Sequence, residues 1–133
     1  MNGEVRWTAV DGYVGTTSSG KSFQIYGESS PSPMEMVLHA HAACSLIDVK
    51  EGLKDRIENV DYMTVEIESQ RAQESPKVFT AVAMKYIVKG EVPEKLLHRL
   101  IESSHEKFCS VGKMITRSGA TLDWTLEVVE LDA

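Results

Sequence analysis

Between Met34 and Val49 the chain carries apolar side chains at almost every angle of a helix. Met36, Val37, Leu38, Ala40, Ala42, Ala43, Leu46 and Ile47 leave no face for solvent, so such a helix needs covering on most of its sides. Just ahead of it, Ser32-Pro33-Met34-Glu35 is a helix start, with Ser32 as N-cap, Pro33 at the first helical position and Glu35 as the capping-box partner. After Val49 the pattern turns amphipathic: Leu53 and Ile57 share a stripe, with Lys50, Glu51, Lys54, Asp55, Arg56 and Glu58 elsewhere. The predicted helix runs about 25 residues, roughly 37 Å. A chain of 133 residues can hardly surround the apolar half of so long a helix, and two copies packing these helices together would solve the problem.

The flanking segments read as strands. Alternating stretches at Val5–Val10, Tyr13–Thr17 and Ser22–Tyr26, separated by Asp11-Gly12 and Ser19-Gly20, predict an antiparallel meander. Two longer alternating stretches, Asp61–Gln70 and Val78–Lys89, predict a hairpin turning at Gln73–Pro76. Pro93 opens a second helix whose apolar stripe is Leu97, Leu100, Ile101 and Phe108 and whose end carries Cys109. A short helical stretch before Gly119 and a last strand over Thr121–Leu131 complete a single α+β domain over 1–133.

With 42% hydrophobic residues the chain can build a core, and its net charge of −6 disfavours nucleic acid and anionic membrane surfaces, which reward clustered Lys and Arg. Charges and a tryptophan interrupt Met1–Val10 where a secretory signal needs an apolar run, and no segment approaches the ~20 apolar residues of a membrane span. The expected location is the cytoplasm. There, cysteines are free, catalytic or metal-bound rather than permanently bridged.

The chain has two cysteines, each within a helical turn of a histidine: His41-x-x-Cys44 and His105-x-x-x-Cys109. Two thiols that meet in a fold can exchange electrons with a peroxide or a dithiol. Cys44 sits among alanines and aliphatic residues, where burial alone makes a thiol inert; Cys109 stands at a helix boundary, where a helix N-terminus would favour thiolate. On the face of Cys44, Ala40 and His41 precede and Ile47 and Asp48 follow, and His41 is the best candidate to activate the sulfur. Arg6, Arg71 and Arg117 are the candidate sources of a cation from elsewhere.

The stretch Ser32-Pro33-Met34-Glu35-Met36-Val37-Leu38-His39-Ala40-His41-Ala42-Ala43-Cys44-Ser45, with Phe108-Cys109-Ser110-Val111 downstream, resembles the osmotically inducible protein C (OsmC) and organic hydroperoxide resistance family, as a divergent branch. The likeness covers nearly the whole chain. It implies an α+β fold of antiparallel sheets around a long buried central helix, assembled as an intertwined homodimer. It also implies a thiol peroxidase without metal, flavin or haem. Cys44 would be oxidised by an organic hydroperoxide, and by hydrogen peroxide too, in defence against oxidative stress. Its sulfenic acid would condense with Cys109, and an external dithiol would reduce the disulfide. Met34, Leu38 and Phe108 would line an apolar substrate pocket.

Peroxidatic members carry an Arg before the first hairpin turn, where this chain has Val10-Asp11-Gly12, and a Glu ten residues before the first cysteine, where it has Met34. Glu35 is one step later, a candidate by residue type; on a regular helix it points away from Cys44 and fits the capping box. Two further readings use the same residues. One is a non-catalytic dimer binding an apolar small molecule between its helices; the other is a structural zinc site of His41, Cys44, His105 and Cys109.

Overall fold

A computed structural model describes residues 1–132, and its backbone gathers into two compact units, Met1–Val37 and the remainder from Leu38 onward. In the first, strands β1 (Gly3–Thr8), β2 (Gly12–Thr17) and β3 (Ser22–Ile25) form the expected antiparallel meander in the order β1-β2-β3. Gly12 and Gly20, with φ of 69° and 88°, turn the chain where side chains are disfavoured. Helix α1 (Pro33–Gly52) then begins on the predicted capping box: the Ser32 amide donates to Glu35 Oε1 at 3.0 Å and the Glu35 amide to Ser32 Oγ at 3.2 Å.

The second unit holds a sheet ordered β4-β5-β6, from β4 (Val60–Arg71), β5 (Phe79–Gly90) and β6 (Thr121–Val129). The β4–β5 hairpin is antiparallel as read from sequence. β6 instead runs parallel to β5, with Met84 opposite Trp124 and Tyr86 opposite Leu126, so this sheet is mixed rather than antiparallel. The reason lies in the connection. Residues 91–120 hold helix α2 (Glu94–Ser103), a π-helical turn (Ser104–Phe108) and helix α3 (Ser110–Arg117), enough chain for the crossover that parallel neighbours require.

The core of this unit comes from one face of β5 and from the helices. Val82, Met84, Tyr86 and Val88 alternate inward, and Val49, Leu53, Leu97 and Ile101 are buried with them. Each fully buried Leu or Ile is worth about 1.5–3 kcal/mol. No helix among the described residues is long and apolar enough to cross a membrane.

Helix α1 departs from its sequence reading in two ways. It ends at Gly52, short of the predicted 25 residues, and Ile57–Asn59 forms a separate 3₁₀ turn. Glycine in a helix forfeits about 1 kcal/mol relative to alanine, which weakens the helix at this point. The helix is also buried along only one stripe, His41, Ala42, Ser45 and Val49, whereas Val37, Ala40, Ala43 and Ile47 remain exposed in the single chain. The all-round apolar pattern is real; one chain covers half of it.

Candidate functional site

The two cysteines meet. Cys44 is half-buried on α1, and Cys109, fully buried, is the N-cap residue of α3; both are free, and the Cys44 thiol is near enough to help hold the Cys109 proton on. Cys109 lies beyond the second helix rather than at its end. The π-helical turn absorbs Ser104–Phe108, and the chain becomes extended at Cys109 before α3 starts. The Gly112 amide donates to Cys109 Sγ at 3.3 Å, as expected of a helix N-terminus.

That bond does not make Cys109 a thiolate. Burial pushes the thiol up to about 12, the Gly112 N–H pulls the other way, and the neighbouring Cys44 thiol adds to the rise, followed by Asp48. Desolvation of a charge outweighs one amide dipole here, so Cys109 is a protonated thiol at neutral pH.

His41 is buried at 0% exposure with neither ring nitrogen hydrogen-bonded, and burial lowers its pKa, so its imidazole is neutral. Its Nε2 lies against Gly112. A Cβ added to Gly112 would sit 2.7 Å from His41 Nε2 and 3.1 Å from Cys109 Sγ. Glycine at this position therefore lets an imidazole nitrogen and the Cys109 sulfur share one concavity. Cys109 Sγ also lies 3.8 Å from the His41 carbonyl oxygen.

Around the thiols runs a buried polar chain that the sequence did not announce. Tyr86 Oη, on β5, bonds Ser45 Oγ of α1 and, at 2.8 Å, His105 Nε2 of the π-helical turn. Ser104 Oγ donates to Asp48 Oδ2 at 2.8 Å and lies 3.0 Å from Ser45 Oγ. The Asp48 carboxylate is acceptor-only, so the single Ser104 proton belongs on that bond. Burial raises the Tyr86 phenol well above its ordinary value, and burial, with His41 nearby, lowers His105 to about 4. Both imidazoles are neutral at pH 7, their rings edge to face with centroids 6.1 Å apart. Asp48 was visible as a neighbour of Cys44 along the helix; Ser45, Ser104 and Tyr86 were not. Tyr86 did leave a signal: a tyrosine at an inward strand position between Met84 and Val88 needs a partner for its hydroxyl.

The remaining candidates lie elsewhere. Glu35 is committed to the capping box. Phe108 is 63% exposed, and Met34 and Leu38 are half-buried. A separate apolar concavity of ≈ 660 Å³ lies in the first unit, lined by Val5, Tyr13, Phe23, Ile25, Tyr26 and neighbouring α1 residues. The aromatics of the meander supply it, because short strands with few residues above them leave their side chains uncovered. Arg71 donates to the Lys77 carbonyl at the far end of the hairpin. Lys113 is a cation near His105 and helps to lower it. Among the described residues, no group of three or more His, Cys, Asp or Glu side chains is arranged to hold a metal ion.

Comparison with known proteins agrees with this architecture. Residues 26–125 match the family described as OsmC-like protein. Protein YhfA of Escherichia coli K12 is 34% identical over 122 residues, covering 89% of this chain and 91% of that protein. The crystal structure of a hypothetical protein from Aquifex aeolicus superposes with a TM-score of 0.81 at 28% identity, over 96% of both chains. The organic hydroperoxide resistance protein OhrB of Bacillus subtilis superposes with a TM-score of 0.57 at 17% identity, over 96% of this chain and 98% of that one.

Proposed function

We propose, from the premise that this chain belongs to the OsmC-like protein family, that it is a two-cysteine hydroperoxide reductase of the cytoplasm. The observation that carries the reading is the juxtaposition of two free thiols of unequal exposure, Cys44 half-buried and Cys109 fully buried. The more accessible sulfur meets the peroxide. Cys44 attacks the terminal oxygen, the O–O bond breaks, the alkoxide leaves as an alcohol once protonated, and Cys44 becomes a sulfenic acid. Cys109 then displaces water from it to form the disulfide, and an external dithiol restores both thiols. Organic hydroperoxides are the class named for OhrB, which shares the fold, and we carry that class to this chain as part of the proposal.

The working form in this proposal is a homodimer. The exposed stripe of Val37, Ala40, Ala43 and Ile47 on α1 is apolar and continuous, the kind of surface that a second copy removes from water. A second reading, binding of an apolar small molecule without turnover, is favoured by the apolar concavity of the meander.

Dithiol consumption with cumene hydroperoxide or hydrogen peroxide, measured for wild type, Cys44→Ser and Cys109→Ser with mass spectrometry of the products, separates the two. Turnover abolished by Cys44→Ser, with a sulfenic acid trapped on Cys44 in Cys109→Ser, supports the reductase. No turnover and no Cys44–Cys109 disulfide leaves the binding reading. Light scattering tests the dimer, and a monomer at micromolar concentration would remove it.

A further inference from the structure

We infer that His41 is the base that takes the Cys109 proton as the disulfide closes, a role that rests on the two-cysteine reading above. Three observations place it there. The imidazole is fully buried with two unbonded nitrogens, although a buried polar group without a partner is costly and rarely kept without a use. Its Nε2 and Cys109 Sγ line the same concavity over Gly112, which any side chain at that position would fill. Cys109, for its part, is a thiol that cannot ionise unaided near neutral pH, since burial and Cys44 hold its proton on.

His105 is the rival base, because its Nδ1 is also unbonded. Its Nε2 is tied to Tyr86 Oη, and its pKa of about 4 makes it a poor proton acceptor. His105, from the π-helical turn, stands edge to face with His41, and Cys109 Sγ shares its concavity; around His105 in turn lie Asp48 on α1, Lys113 on α3 and Tyr86 on β5. Burial opposes both a free thiolate and a free imidazolium, so the proton moves while the sulfurs bond rather than beforehand.

The step balances. Cys109 Sγ attacks the sulfenic sulfur of Cys44, the S–H proton passes to His41, the S–S bond forms and the Cys44 S–O bond breaks. The departing hydroxide takes the proton back from His41 and leaves as water, so the imidazole ends neutral. The hydroperoxide was the oxidant; at closure the Cys109 sulfur is oxidised and the Cys44 sulfur reduced to the disulfide level.

Single-turnover mixing of reduced protein with one equivalent of cumene hydroperoxide, with timed dimedone trapping and intact-mass readout, follows sulfenic acid and disulfide separately. With His41 as base, wild-type closure is nearly independent of pH from about 7 to 9; in His41→Asn, sulfenic acid accumulates and closure at pH 7 slows by about 100-fold. Wild-type closure that climbs about tenfold per pH unit over that range, the signature of Cys109 ionising by itself, overturns the inference without needing any variant to fold. So does His41→Asn closing as fast as wild type. If wild type forms neither sulfenic acid nor Cys44–Cys109 disulfide, the reductase reading itself has failed, and the inference falls with it.

Discussion

Replacing Tyr86 by phenylalanine removes one oxygen atom from the centre of the second unit. The ring is 1% exposed and phenylalanine fills nearly the same space, so the change isolates the hydroxyl and leaves no large cavity. Tyr86 Oη bonds Ser45 Oγ and His105 Nε2 and donates weakly to Met84 Sδ at 3.6 Å. Ser45 keeps Ser104 as a neighbour, so its loss is that of an ordinary hydrogen bond, about 1 kcal/mol. His105 fares worse, because its Nδ1 has no partner and Nε2 would lose its own; a buried polar group left unbonded costs about 1–3 kcal/mol. The sum is about 3 kcal/mol, a large share of the typical 5–15 kcal/mol for a domain, and roughly 10 °C in Tm. Urea unfolding followed by circular dichroism at fixed protomer concentration measures it, with a lower midpoint and an unchanged slope. A double-mutant cycle with Ser45→Ala should give a coupling of about 1 kcal/mol. A loss below about 0.5 kcal/mol, or strict additivity in the cycle, would show that the hydroxyl is not the link holding α1, β5 and the π-helical turn together.

Two other predictions follow from neighbouring features. Since His105 falls to about 4 in the folded protein from an ordinary 6.5, the unfolded chain binds the extra proton first. Stability is therefore full above pH 6.5 and declines as pH drops toward 4, by about 2 kcal/mol after allowing for partial solvent screening. Urea midpoints in that window check the slope, and His105→Gln should flatten it. At the hairpin, a Cβ on Gly90 would stand 2.4 Å from the Asn59 carbonyl oxygen and 2.9 Å from Val60 Cα, backbone that has no rotamer to give. Gly90→Ala should cost about 2 kcal/mol by thermal melting, whereas Gly20→Ala, with nothing near its Cβ site, is penalised by its φ alone.

Local rules made much of the molecule readable from its residues. Gly12 and Gly20 marked turns because only glycine enters the left-handed region freely, and Ser32 with Glu35 marked a helix start because three residues suffice to close a capping box. The cysteine pair was read from helical spacing and family likeness, and the fold brings it together. What stayed hidden depends on partners remote in sequence. Ser45, Ser104 and Tyr86 are ordinary residues until three separate elements bring them into one chain of hydrogen bonds. The direction of β6 was lost for the same reason: alternation gives a strand its faces but not its neighbour's polarity. Helix-end position favoured ionisation of Cys109, and only the depth of burial shows the opposite sign. Helix α1 was a different case, since its pattern described a covered helix and a single chain supplies half the cover.

The crossover between the parallel strands also sets when the thiol pair can exist. Cys109 lies inside the segment that joins β5 to β6, so its neighbourhood with Cys44 is a contact between residues remote along the chain, and closing such loops is slow compared with forming a helix or a hairpin. During synthesis Cys44 emerges long before Cys109 and the strand that locks it in place. The newborn chain thus passes through an interval with one thiol alone and unburied, and shielding of Cys109 from alkylating reagents serves as a clock for the completion of folding.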